Sequence, residues 1–258
     1  MPLTLRRLLT PFLAVGLFAA IGVGPLAAQE KPASSTITPA QKRAIEEIVR
    51  EFILQNPEVI VEAVKDLQER EKKETRKRAQ DNLVAVKNDL LHDAMTPVGG
   101  NAAGDVTIVE FFDYRCGFCK RVMPSLVELL KADKNLRIVF KEFPILGPES
   151  VVASKAALAA WLIDKGKYES MHWALMKTTG PLPESRVLKI AADAGFDAKA
   201  LKKKMEDPVI EGLIQKNYAL AEALDINGTP AFVIGDQIIR GAMDADTIRK
   251  LVAQARGS

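Results

Sequence analysis

The stretch "VEFFDYRCGFCKRV", Val109–Val122, holds both cysteines of the 258-residue chain, spaced C-x-x-C where an apolar run gives way to a helical pattern. Just before it, "VTIVEFF" has the β-branched and aromatic density of a strand. The residues after Cys119 read as a helix to about Lys131, and "LRIVFKEF", Leu136–Phe143, reads as a second strand. A strand, helix, strand succession implies a parallel pair joined by a right-handed crossover. Cys116 then sits at a helix start, where free backbone N–H groups and the helix dipole favour a thiolate. Cys119 lies one turn on, on the inner side, close enough to close a disulfide.

Other uses of the pair carry less weight. Two cysteines closing so short a loop stabilise a chain of this length little. A structural zinc site needs four ligands, and only His92 and His172 are left to complete one. His92 falls on a charged helix and His172 among core-like residues in "YESMHWALM", so both read as scaffold. Soft Cu(I), which accepts two thiolates, stays open on composition.

Downstream, Glu149 to Leu224 is helical in pattern, with Pro181, Pro183 and Gly195 as punctuation, and reads as an insertion. "PAFVIG" and "QIIRG" form a hairpin turning at Gly235 and Asp236, and Asp244 caps a closing helix. The whole is an α/β domain carrying a helical lid.

Upstream, "TPAQ" at Thr38 to Gln41 reads as a capping box with proline at the first helical position, and Ile45, Ile48, Val49 and Phe52 follow at helical spacing. Asn56 and Pro57 are expected to start a second helix with the stripe Ile60, Ala63, Val64 and Leu67. "QEREKKETRKR" then has no apolar face, with i,i+4 pairs such as Glu69 with Lys73 and Glu74 with Arg78. A helix from Pro57 to Met95 would be too long to pack fully on one modest domain. Residues 38–95 therefore read as an oligomerisation stalk, or else as a hairpin folded on its own body. "TPVGGNAAGD", Thr96 to Asp105, is expected to be a linker.

At the front, Arg6 and Arg7 precede an apolar run that ends in Ala27 and Ala28, the pattern of a secretory signal peptide over residues 1–28 with cleavage after Ala28. An uncleaved anchor is the alternative. Residues 29–37 are a linker. Cleavage removes two of 36 basic residues against 33 acidic ones, so the mature chain is near neutral and nothing points to nucleic acid.

"VEFFDYRCGFCKR" together with "NGTPAFVIG" resembles the DsbA-like thiol:disulfide oxidoreductases, over roughly residues 106–258. The resemblance implies a thioredoxin fold with a helical domain inserted at about residues 149–224. It implies Cys116 as exposed nucleophile, Cys119 as resolving thiol, Thr229 and Pro230 as the cis-proline loop, and Glu110 as a buried acid that takes the proton of Cys119, with Lys141 as its partner. The front end, "TPAQKRAIEEIVREFILQNPEVIVEAV", is similar to the N-terminal extension of the Com1 and suppressor-of-copper-sensitivity protein C branch, some of whose members oligomerise through it and act as disulfide isomerases.

DsbA has Pro-His between its cysteines; here the dipeptide is Gly117-Phe118, which, with Thr229, resembles the isomerase side of the superfamily. A couple less oxidising than the ~−120 mV of DsbA is expected. Gly117 and Phe118 are further expected at the substrate surface. The reading is a periplasmic thiol:disulfide oxidoreductase, an isomerase or reductase, acting on unfolded or misfolded exported proteins. It would need no cofactor, have a membrane thiol-redox partner and form a dimer or trimer through residues 38–95. The alternatives are a monomeric DsbA-type oxidase, a periplasmic copper-binding protein using the same thiols, and a bacterial surface antigen or chaperone scaffold.

Overall fold

A computed structural model describes residues 37–257. The expected signal peptide and most of the linker after it lie outside the described residues. The chain divides into two compact units, one ending at Ile60 and the other running from Val61 to the C-terminus.

In the first unit, helix α1 (Pro39–Gln55) starts with the capping box: Gln41 N–H donates to Thr38 Oγ1 at 3.3 Å and Thr38 N–H to Gln41 Oε1 at 3.0 Å. None of its residues is buried, and the apolar row Ile45, Ile48, Val49 and Phe52 faces out. Asn56 works backwards from expectation. Its side-chain amide donates to Phe52 O at 2.9 Å, satisfying a carbonyl at the end of α1 rather than the first N–H groups of the next helix.

Helix α2 (Glu58–Leu91) is continuous through the charged stretch. The ion pairs along it join Asp66 to Arg70, Glu69 to Lys72 and Lys77 to Asp81, not the pairs expected from spacing. These are exposed and stabilise little individually.

In the second unit, a five-stranded sheet has the order β1-β3-β2-β4-β5. Strands β2 (Val106–Phe112) and β3 (Leu136–Glu142) are the parallel pair joined by α3 (Gly117–Ala132), and β4 (Ala231–Ile234) with β5 (Gln237–Arg240) is the hairpin. Strand β1 (Val98–Gly100) pairs antiparallel with β3, so the expected linker at 96–105 contributes an edge strand instead. Its glycines make the strand possible. A Cβ on Gly99 would lie 2.8 Å from the Phe140 ring, and Gly100 has φ +70.

Because side chains alternate across a strand, β2 feeds two cores. Ile108 and Phe112 join α3, the closing helix α9 (Ala245–Arg256) and the inserted helices α4 (Pro148–Ile163), α5 (Lys165–Met176), α6 (Glu184–Asp193), α7 (Ala198–Met205) and α8 (Pro208–Ala223). Val109 and Phe111 point the other way, into a cluster with Val139, Leu220 and Leu224 that also takes Leu83 and Leu90 of α2. Burial on both faces is why β2 reads as an unbroken apolar run.

The stalk boundary expected at 95 is therefore too far along the chain: Ala79, Leu83 and Leu90 are buried with the sheet, and Asn82 donates to Ala223 O at 2.8 Å. A Leu90→Ala substitution is expected to destabilise this unit by about 2–5 kcal/mol, the range for a truncated core leucine. A urea midpoint unchanged from wild type would show that the last turns of α2 are not core.

Candidate active site

The site is built where β2 ends and α3 begins. Asp113, the first residue after the strand, is fully buried, and its carboxylate accepts from Arg115 N–H (2.7 Å), Ser150 Oγ–H (2.8 Å) and Leu146 N–H (3.0 Å). Its carbonyl accepts from Cys116 N–H at 3.0 Å. The turn carrying the first cysteine is thus tied to the loop between β3 and α4.

Cys116 is itself the N-cap of α3, and its sulfur accepts from Cys119 N–H at 3.5 Å. The position that a Ser or Asp would usually hold is occupied by sulfur. Across from it the Thr229–Pro230 bond is cis, and the Thr229 carbonyl lies 3.3 Å from Cys116 Sγ, placed to accept from the thiol. Pro230 is buried, and its own carbonyl accepts from Gly241 N–H at 2.9 Å, which fixes the loop to the end of β5.

Cys116 is not openly exposed as the resemblance implies. It keeps only 5% of its surface, while Phe118 keeps 56% and Gly117 is exposed. Cys119 is completely buried behind it, and both cysteines are free thiols.

The two sulfurs are electrostatically opposite. The Cys119 thiol donating to Cys116 is the largest influence, and with the Thr229 side chain and the backbone N–H groups of Cys119 and Phe118 it overcomes the opposing effect of burial to hold Cys116 at about 5. Burial, the hydrogen bond to Cys116 and the charge of Glu110 push Cys119 far above the ordinary thiol range. Glu110 is fully buried with no hydrogen-bond partner on either carboxylate oxygen; burial first, then the Cys116 charge, raise it to about 8.

Lys141 is not brought to Glu110. In the parallel register Glu110 stands beside Phe140, and Lys141 beside Phe111, so the two side chains leave opposite faces of the sheet. The Lys141 ammonium instead donates to Asp89 O at 3.1 Å and Thr96 Oγ1 at 3.0 Å, capping a free carbonyl in the last turn of α2. Burial lowers it to about 8. The expected acid and lysine pair is corrected to a lone acid on one face and a helix anchor on the other.

The residue that shares the Glu110 face at the end of β3 is Glu142, beside Phe112 in the register. It is fully buried, its Oε1 accepts from Tyr114 Oη–H at 3.2 Å and Tyr168 Oη–H at 3.4 Å, and burial raises it well above the carboxylate range. His172 Nδ1 lies 2.9 Å from Tyr114 Oη, and burial among aromatic rings lowers it to about 3, so the ring is neutral. Glu142, Tyr114 and Asp113 went unnoticed in the sequence. The signal for Glu142 was parity: an even offset from Phe140 puts it on the inner face.

Residues 107–253 match the DSBA-like thioredoxin domain family, and residues 41–74 match the copper resistance protein ScsC N-terminal domain. A thioredoxin-like oxidoreductase from Silicibacter pomeroyi DSS-3 is 44% identical with a TM-score of 0.64, over 66% of this chain and 98% of that one. Proteus mirabilis ScsC in a transitional conformation is 30% identical with a TM-score of 0.65, over 85% and 99% of the two chains. The Na(+)/H(+) antiporter NhaA 1 of Salinispora arenicola is 28% identical over 63% of this chain, which spans 26% of the antiporter.

Proposed function

Because the chain belongs to the DSBA-like thioredoxin domain family, a family of thiol-disulfide oxidoreductases, we propose that it reshuffles disulfides in exported proteins of the periplasm, as an isomerase or reductase using Cys116 and Cys119. The observation that carries this reading is a sulfur at a helix N-cap, held as a thiolate near neutral pH under the cis-Pro230 loop, with a second, protonated sulfur directly behind it. Among the described residues no helix is long and apolar enough to cross a membrane.

In the proposed cycle the Cys116 thiolate attacks one sulfur of a substrate disulfide. A Cys116–substrate bond forms, the substrate S–S bond breaks, and the other substrate sulfur leaves as a thiolate. Forming the mixed disulfide removes the negative charge on Cys116 that raises Glu110. The carboxyl group then releases its proton to solvent and, as a carboxylate, accepts the Cys119 proton. Cys119 attacks Cys116, releasing the second substrate thiol, or a substrate thiol attacks first and the protein leaves unchanged with its client rearranged. Thr229 and the exposed Phe118 flank the reacting sulfur, where an extended substrate chain would lie.

A Cys116 near 5 lies between the ~3.5 of DsbA and the ~7 of thioredoxin. That supports a couple less oxidising than the ~−120 mV of DsbA.

The oligomer is part of the proposal. Ile48 is 65% exposed and Phe52 53% exposed on α1, in the segment that matches the ScsC N-terminal domain. Apolar rows at helical spacing with nothing buried beneath them favour self-association. Joining catalytic heads raises the effective concentration at a single client. The test is rescue of scrambled ribonuclease by the mature chain and by its Ile48→Glu, Phe52→Glu variant, with mass measured by sedimentation. The variant is expected as a monomer with rescue reduced about tenfold. Equal rescue by a monomer would remove self-association from the mechanism.

A further inference from the structure

Around the mouth of the site the cations outnumber the carboxylates. Arg115 precedes the nucleophile, Lys120 and Arg121 follow it on α3, and Arg186 approaches from α6. Lys120 Nζ donates to Thr178 O (2.6 Å) and Thr178 Oγ1 (3.2 Å), and Arg186 Nη1 donates to Thr179 O and Pro181 O, both at 2.7 Å. These cations are held in place by neutral acceptors that do not cancel their charge. Lys120 shows the crowding: burial chiefly, then repulsion by Arg186, lowers it, with Arg115 adding to the effect and Asp113 and the Cys116 thiolate opposing.

The carboxylates against this cluster are already used. Asp113 is buried with donors on both oxygens, and Glu149 accepts from Leu182 N–H at 3.1 Å while pairing with Arg115 Nε at 3.3 Å. Beside the cations lie exposed apolar side chains: Phe118 at 56%, with the Arg121 guanidinium 4.1 Å from its ring centroid, and Leu146 at 45%, whose carbonyl accepts from Arg115 Nη1.

Resting on the exchange reading above, we infer that this rim selects client segments in which acidic residues flank the reacting cysteine and an apolar side chain lies next to it. A polypeptide is the occupant that supplies all three groups from one extended strand. Its carboxylates neutralise Lys120, Arg121 and Arg186, its apolar side chain covers Phe118 and Leu146, and its sulfur reaches Cys116. A small free anion would answer the charge and leave the rings uncovered.

The experiment uses the mature reduced protein and two synthetic peptides, each carrying one cysteine as a mixed disulfide with cysteamine and one adjacent leucine. They differ only in having glutamate or lysine at the flanking positions. The second-order exchange rate is expected to be about tenfold higher for the glutamate peptide at ~0.01 M ionic strength, where charges are felt over ~30 Å, and nearly equal at ~1 M, where the range is ~3 Å. Arg121→Glu is expected to reduce the preference to about a third, a size typical of one exposed ion pair. Equal rates at low salt, or a preference that high salt leaves intact, would overturn the inference while exchange itself stands. No exchange with either peptide would overturn the exchange reading and this inference with it.

Discussion

Cys116→Ser is expected to abolish thiol–disulfide exchange, with a fall of at least about three orders of magnitude against any disulfide substrate. Only a thiolate attacks a disulfide, so the loss depends on how well Cys119 can substitute. It is fully buried, and that burial, the largest cause of its raised value, stays when Cys116 is replaced, so Cys119 remains a protonated thiol near neutrality. In the wild type, alkylation of Cys116 should follow the population of a thiolate with a midpoint near 5, rising through that pH and flat above it. A profile that climbs instead near the ~8.5 of a free cysteine would remove the nucleophile from this account.

The second large effect is expected at Glu110. Glu110→Gln keeps the volume and loses the proton acceptor behind Cys119, so resolution of the mixed disulfide should slow about 10²–10⁴-fold while the first attack by Cys116 is nearly unchanged. Stopped-flow accumulation of the mixed disulfide separates the two steps. The same residue carries a stability signature with a definite sign. Its native value of about 8 lies above the model value of 4.5, so across that window the native state binds the proton more tightly than the unfolded chain.

Stability of the reduced protein therefore loses ground from this group as pH rises from 4.5 to 8, by on the order of 5 kcal/mol in the limit. Cys116 works in the opposite sense. Its thiolate is favoured in the native state, so its contribution grows as pH rises from about 5 towards 9. Glu110→Gln should remove the Glu110 loss and keep the Cys116 rise, making the variant more stable than wild type at pH 8. A variant with the wild-type pH profile would place the carboxyl group in water.

The two large effects share a cause in the alternation of β2. One residue in a run of apolar neighbours, Glu110, is turned to the face that α3 covers, and the cysteine one turn into that helix is buried against the same side. Lys141 illustrates how a sequence pattern misleads at this point. Two charged residues on adjacent strands suggest a pair, but a pair forms only when both side chains leave the same face, and the register of β2 with β3 puts Phe140, not Lys141, beside Glu110. The lysine serves α2 instead, satisfying a carbonyl that its helix cannot.

Local chemistry was readable from the chain. The spacing of Cys116 and Cys119 at a strand-to-helix junction, the caps at Thr38 and Asp244, the hairpin at Gly235 and the long helical insertion each depend on residues within a few positions of one another, where sterics and capping act. What needed the folded chain were contacts between residues far apart in sequence. Asn56 could serve either neighbouring helix, and only the backbone path sent it to Phe52. The glycines of β1 look like a linker until Phe140 lies against them. Leu83 and Leu90 could have met another copy of the helix, yet they close the second face of the sheet, because β2 is apolar on both sides and an uncovered face would cost more than the helix gains by standing free.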